Sequence, residues 1–276
     1  MCDYELALEG EILHHAYDRI DNSMYQAEND QWWQPDSALF LLKTFINPVR
    51  VRYFKKELFN GLNIDPHGST ALEVGCGGGI LCEEIARMGF NTTGLDPFAQ
   101  SLQIAIKHAE TSGLEINYKQ GTGEALPFPD SSCDVVFCCD VLEHVRDLPK
   151  VISEISRVLK PGGVFCYDTI NRTWISKLVA INIAQRWGWW AFMPPDFHIW
   201  KMFIKPDEIK LLLQQNNFAW REHRGTVPNL SYPEILYYLH KRAKGELTYK
   251  DFSEKLFLIE SENIAIIYMG YAIKKQ

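Results

Sequence analysis

The chain has 276 residues, 46% of them hydrophobic and 23% charged, with a formal net charge of −7. That length and apolar content suit one fairly large domain, or one domain with a lid, and exclude disordered, collagen-like and disulfide-stapled classes. The acidic balance argues against sequence-independent nucleic-acid binding, which runs on clustered Lys and Arg, so no nucleic-acid partner is expected.

The N-terminus, MCDYELALEGEILHH, is acidic and has no basic start followed by an apolar run, so it does not read as a secretory signal. No window offers about 18 uninterrupted apolar residues, which argues against a transmembrane helix. Residues 1–69 read as a helical cover, with Trp32-Trp33 ahead of Pro35, and Arg50, Arg52, Lys55 and Lys56 following Pro48. From Thr70 short apolar runs alternate with helical spacing. Strands are expected at Ala71–Val74, Asn91–Leu95, Ile116–Gln120, Cys133–Cys139 and Val164–Tyr167, with helices at Leu81–Met88, Leu102–Glu110 and Leu148–Leu159. A Lys160-Pro161-Gly162-Gly163 turn is expected before the last of these strands. This alternation predicts an α/β fold with a doubly wound, mostly parallel, Rossmann-like sheet over 70–172. Residues 173–276 read as a lid and substrate segment plus the final sheet strands, all within one domain. They comprise a Trp-rich stretch, a helix at Phe203–Asn216, a strand at Ala219–His223, a helical insertion over 228–262 and a last strand at Ile264–Ile273.

Seven cysteines, Cys2, Cys76, Cys82, Cys133, Cys138, Cys139 and Cys166, are odd in number and sit mostly in apolar runs. Such usage suits reduced thiols in a cytoplasmic compartment, and no Cys/His spacing suggests structural zinc.

The segment Glu73-Val74-Gly75-Cys76-Gly77-Gly78-Gly79-Ile80 follows a strand and opens a helix, where glycines bring backbone close to a ligand. Asp96 ends the next strand, placed to accept hydrogen bonds from both ribose hydroxyls of an adenosine. A nicotinamide dinucleotide would want Gly or Ala where Ile80 stands, and a basic partner for its pyrophosphate. Glu73 ahead of the compact glycines fits a nucleoside without phosphates, and S-adenosylmethionine is the expected cofactor.

Glu73–Gly79, Asp96, Gly123-Glu124-Ala125-Leu126-Pro127-Phe128, and Cys133-Asp134-Val135-Val136 through His144 together resemble the class I S-adenosylmethionine-dependent methyltransferases. A closer resemblance is carried by Trp32-Trp33 with Pro35, Ile46-Asn47-Pro48-Val49-Arg50, Val141-Leu142-Glu143-His144-Val145, Thr169-Ile170-Asn171-Arg172 and Phe203-Ile204-Lys205-Pro206. These look like the ubiquinone-biosynthesis O-methyltransferase family, which methylates catechol-type hydroxyls on polyprenylated rings. The resemblance implies a cofactor site of Arg50, Glu73, Gly75, Gly77, Asp96, Glu124 and Cys139. In it Arg50 meets the methionine carboxylate and Glu124 lies by the adenine, although Gly121-Thr122-Gly123 departs from the family's Gly-Asp-Ala form. It also implies a divalent-metal site, for Mg²⁺, at Asp140, Glu143 and His144. Asp140 is one methylene shorter than the family's Glu, and oxygen donors suit a hard cation. His144 and His198 are the candidate bases for the acceptor hydroxyl. The family links the region matching 174–193 to peripheral membrane contact, and Trp174, Trp187, Trp189 and Trp190 with Lys177 and Arg186 suit an interface. A buried lid helix is the plainer reading of the same stretch. The 228–262 segment departs from the family's usual ending, so a non-quinone acceptor stays open. A catalytically silent S-adenosylmethionine-binding partner protein is the alternative from a different class.

Overall fold

Period-two alternation in the short apolar runs builds the sheet. β1 (Thr70–Val74) turns Leu72 and Val74 to one face and Ala71 to the other, while β4 (Cys133–Cys138) is buried on both faces. The computed structural model describes residues 15–26 and 31–276. Cys2 and the parts of the expected N-terminal cover in 1–14 and 27–30 lie outside the described residues.

With β2 (Asn91–Asp96), β3 (Ile116–Gln120), β5 (Leu159–Ile170), β6 (Phe218–Pro228), β7 (Leu258–Ser261) and β8 (Ile267–Lys274), the strands form one sheet in the order β3-β2-β1-β4-β5-β8-β6-β7. The first five pair in parallel. β8 runs antiparallel to β5 and β6, and β7 antiparallel to β6. The strand order reverses between β1 and β4, which opens a crevice at their carboxyl ends.

Helices cover both faces. On one, α4 (Leu148–Val158) buries Val151, Ile152 and Ile155, and α5 (Pro206–Gln215) buries Ile209 and Leu213, against Leu72, Val136 and Phe165. α4 starts where Asp147 accepts from the Lys150 amide at 2.9 Å, with proline in its first turn. On the other face, α1 (Asn47–Lys55) and α2 (Ile80–Arg87) pack Val49, Phe54, Leu81 and Ile85 on Ala71, Val135 and Phe137. α3 (Ala99–Thr111) flanks β2 and β3.

The expected turn at 160–163 is instead a register shift inside β5, whose pairing with β4 begins at Leu159↔Cys133 and resumes at Val164↔Val135. The 228–262 insertion resolves into α6 (Tyr232–Ala243), α7 (Tyr249–Lys255) and β7. Both helices begin in capping boxes, Ser231 with Glu234 and Thr248 with Asp251. The Trp-rich stretch forms a lid helix, Trp174–Ser176 continuing as the π-helical turns Lys177–Arg186. Among the described residues no helix is long and apolar enough to cross a membrane. The six described cysteines are buried free thiols.

Gly225 in β6 lies where the backbone of Asn263 crosses it, and a Cβ there would overlap the Asn263 carbonyl. Backbone cannot yield as a flexible side chain does. Gly225→Ala is therefore expected to cost about 1–3 kcal/mol, read as a lower urea midpoint with an unchanged slope.

Candidate active site

The glycine loop hangs on β2. The amides of Gly75 and Cys76 both donate to Leu95 O, at 2.7 and 2.9 Å. The Asp96 carboxylate accepts from the Gly77 amide at 2.8 Å and the Phe98 amide at 2.9 Å, one on each oxygen. Burial pushes its pKa up to about 6, with those two amides pulling the other way. It stays an anion at neutral pH, with lone pairs left over for a ligand. Gly77 takes φ +49°, and a Cβ there would enter the Trp32 indole, so the loop needs both the conformation and the space of glycine. The neighbouring Trp33 indole donates to Gly78 O at 2.9 Å and stacks on His108, which clasps the Trp pair over the loop. Glu73 is buried beneath it. Desolvation raises its pKa to about 8, and its Oε2 lacks a partner.

A second group ties α1 to the tips of β4 and β5. Arg50 is 2% exposed, and its Nε donates to Asp168, its Nη2 to Asp140, and its Nη1 to Asn47 Oδ1 at 2.7 Å. Burial works against the guanidinium charge, but Asp140 and Asp168 outweigh it and hold its pKa well above the ordinary value. Asp140 sits in the left-handed region at φ +55°, where its amide donates to Asp168 Oδ1 at 2.9 Å. Cys139, just before it, is a buried thiol whose pKa burial holds well above the usual range.

The third group lies beyond β4. Glu143 is 2% exposed; its Oε2 accepts from Thr169 Oγ1 at 2.8 Å and its Oε1 has no partner. Burial, helped by the Asp140 charge, raises its pKa to about 8. Both ring nitrogens of His144 are shielded from solvent without a hydrogen-bond partner, and burial lowers its pKa to about 4. His198 lies 4.9 Å from His144, ring centre to ring centre, and burial with that neighbour holds it neutral. One ligand atom from each of Glu143, His144 and His198 falls within 4.8 Å of the others. Asp140 is turned the other way, onto Arg50.

Of the residues expected from sequence, Arg50, Glu73, Gly75, Gly77 and Asp96 line one cavity of about 960 Å³. Glu124, Cys139, Asp140, His144 and His198 line it as well, and Glu143 lies just behind. Glu124 reaches back to accept from the Arg146 amide at 3.1 Å. Sequence reasoning missed three contributors. Asp168 signalled itself only as a charge inside a buried strand. Asn47 holds Arg50 from one turn away. Tyr25 gave no signal, yet its ring lies 5.5 Å from Trp32, 5.3 Å from Phe197 and 6.2 Å from His144, roofing the cavity between the loop and the histidines.

Residues 72–167 match the Methyltransferase domain family model. A ubiquinone biosynthesis O-methyltransferase from Bartonella bacilliformis is 35% identical over 208 residues, covering 72% of this chain and 82% of that one. The protein of the same name from Actinobacillus pleuropneumoniae is 36% identical over 216 residues, covering 74% and 89%. This chain belongs to the ubiquinone-biosynthesis O-methyltransferase family. Among solved structures, a SAM-dependent methyltransferase from Thermotoga maritima superposes with a TM-score of 0.57 at 17% identity, covering 95% of this chain and 100% of that one. Another from Aquifex aeolicus gives 0.54 at 15% identity, covering 87% and 98%. At that identity the likeness speaks for the fold, a class I methyltransferase sheet. The chain is an S-adenosylmethionine-dependent methyltransferase.

A metal implied by the family meets a fitting set of groups: the orphaned Oε1 of Glu143, the orphaned nitrogens of His144, and His198. One carboxylate and two imidazoles suit a borderline cation such as Mn²⁺ or Zn²⁺ better than Mg²⁺, which prefers oxygen.

Asp96→Asn is expected to weaken S-adenosylhomocysteine binding by about 1.5–3 kcal/mol, roughly ten- to 100-fold by calorimetry. Because Asp96 must be ionised to accept from both hydroxyls, wild-type affinity should hold above pH 7 and fall as pH drops through about 6. The variant should lack that inflection.

Proposed function

We propose that this chain transfers the methyl group of S-adenosylmethionine to a phenolic or catechol hydroxyl, and that the acceptor is a polyprenylated quinone precursor of the kind its relatives' names describe. The observation that carries the reading is that Asp96 and the His144–His198 pair open onto the same cavity, so a nucleoside donor and a protic acceptor meet inside it. Asp96 takes the ribose and the backbone at Gly75, Gly77 and Cys139 lies along the donor, with Glu124 on the adenine side. Arg50 has five N–H donors, and three are engaged by Asp168, Asp140 and Asn47. The remaining two meet the donor's carboxylate.

Methyl transfer is an in-line displacement: the acceptor oxygen bonds to the methyl carbon, the C–S bond breaks, and the sulfonium becomes a neutral thioether. Most of the rate comes from holding oxygen, methyl and sulfur in line. The acceptor's proton must leave, and the uncharged imidazoles of His144 and His198 offer lone pairs to take it. Alternatively, Glu143, His144 and His198 would hold a divalent cation, which when bound occupies those lone pairs and instead supplies positive charge that lowers the pKa of the acceptor hydroxyl, so that its proton leaves to solvent. Tyr25 and Phe197 cover the histidines and keep water from competing as acceptor.

Labelled methyl transfer to prenylated catechols and plain phenols, with and without EDTA, tests the reading. Turnover on prenylated catechols is expected, and EDTA should suppress it. Glu143→Gln should leave S-adenosylhomocysteine affinity near wild type and lower turnover by at least about ten-fold. Tight donor binding with no methyl transfer to any hydroxylated ring would contradict it.

We also propose peripheral membrane contact through 174–193. It is supported by the exposed indoles of Trp174, Trp187 and Trp189 on the lid segment that carries Lys177 and Arg186. A Trp187→Ala/Trp189→Ala variant should cosediment several-fold less with phosphatidylglycerol vesicles, and unchanged cosedimentation would refute the contact.

A further inference from the structure

The cavity that the histidines line is also walled by two helices. These are the lid helix, through Ile175, Val179 and Ile183, and α6, through Ile235, Leu236 and Leu239. Neither the lid helix nor the α6–α7 hairpin turns a charged side chain into it. Five of their charges are held elsewhere: Lys177 over the Trp200 ring, Arg186 on Asp196, Glu234 on Ser231, Lys241 over Tyr237 and Arg242 on Tyr249. A wall of branched aliphatic side chains without a charge selects an apolar occupant. The wall also reaches the outside. Val179 and Leu236 line the cavity yet are 37% and 46% exposed, so they form the rim of a mouth between the two helices.

The hairpin is firmly seated. Phe252 and Leu256 of the α7 region pack on Leu41, and Leu239 and Phe192 close against them. The capping boxes at Ser231 and Thr248 fix where each helix starts.

We propose that the α6–α7 hairpin and the lid helix form a channel for the acceptor's apolar tail, with Leu236 and Val179 as specificity-determining residues at its mouth. The inference rests on the reading of a ring acceptor held at His144 and His198. The ring stays at the histidines while its hydrocarbon substituent lies between the two helices and leaves past Leu236. Tail-bearing acceptors are then favoured over bare rings by contacts remote from the chemistry.

The test uses the full-length protein with Leu236→Glu, Val179→Glu and, as control, Tyr237→Glu. All three positions are exposed, so the fold tolerates the change, and Tyr237 does not line the cavity. Two readouts separate the channel from the acceptor reading. Farnesol, a prenyl chain without a ring, is titrated by displacement of a bound anilinonaphthalene dye. Methyl transfer is measured on catechol and on a farnesyl-bearing catechol. The Leu236 and Val179 variants should lose about ten-fold or more in farnesol affinity and in kcat/KM for the tailed catechol. Their turnover of plain catechol and the whole behaviour of Tyr237→Glu should match wild type. Equal farnesol affinity in all variants, or equal losses on tailed and plain catechol, would overturn the channel. If wild type methylates neither catechol while the farnesol losses appear, the channel stands and the acceptor reading falls.

Discussion

A single buried guanidinium holds the molecule's working edge together. Arg50 is almost without solvent, and burying such a charge alone would cost several kcal/mol. It is tolerated because Asp168 at the end of β5 and Asp140 just past β4 face it from two sides, with Asn47 closing the third. The same contacts fix α1 over the carboxyl ends of the central strands and hold Asp140 in its left-handed backbone conformation. One cation among two anions leaves the cluster net negative, and Asp96 adds another carboxylate nearby in the cavity. S-adenosylmethionine carries a sulfonium and an ammonium against one carboxylate, so its net positive charge complements that surplus.

Burial shifts the remaining ionisable groups by different amounts. Asp96 keeps its charge at neutral pH because two backbone amides offset desolvation. Glu73 and Glu143, each with an unsatisfied oxygen, are pushed up to about 8, and His144 is pushed down to about 4. Beneath and beside the glycine loop a charged Asp96 thus sits near a largely protonated Glu73, while Glu143 and His144 leave polar atoms uncommitted at the far side of β4. Aromatic rings seal the join: Tyr25 touches Trp32 on the loop side and His144 on the other, which ties the N-terminal segment to both halves of the cavity.

What could be read from the sequence was what is local. The glycine loop, the acid closing β2 and the alternation of β1 through β5 are short-range patterns, so periodicity and spacing located them. Contacts between distant residues were not legible. Arg50 was expected to meet a ligand carboxylate, but its protein partners lie 90 and 118 residues away, and no spacing rule links them. Asp140, Glu143 and His144 are adjacent in sequence, yet the left-handed turn at Asp140 sends its carboxylate to Arg50. His198, from a separate loop, stands beside Glu143 and His144 instead. β7 escaped notice because four residues of mixed polarity carry too little pattern to separate from the helices before them. The Lys160–Gly163 segment read as a turn because Pro and Gly usually end strands, whereas here β5 absorbs them as a shift in register.

We infer that the methyl donor binds at the carboxyl edge of β1, β2 and β4, closed by Arg50. Amide hydrogen exchange with and without saturating S-adenosylhomocysteine addresses it directly. New protection is expected at residues 73–79, 96–98, 121–124 and 139–143, with α5 and the β6–β7 edge unchanged. Protection confined to other elements, or none at the glycine loop despite bound ligand, would contradict it.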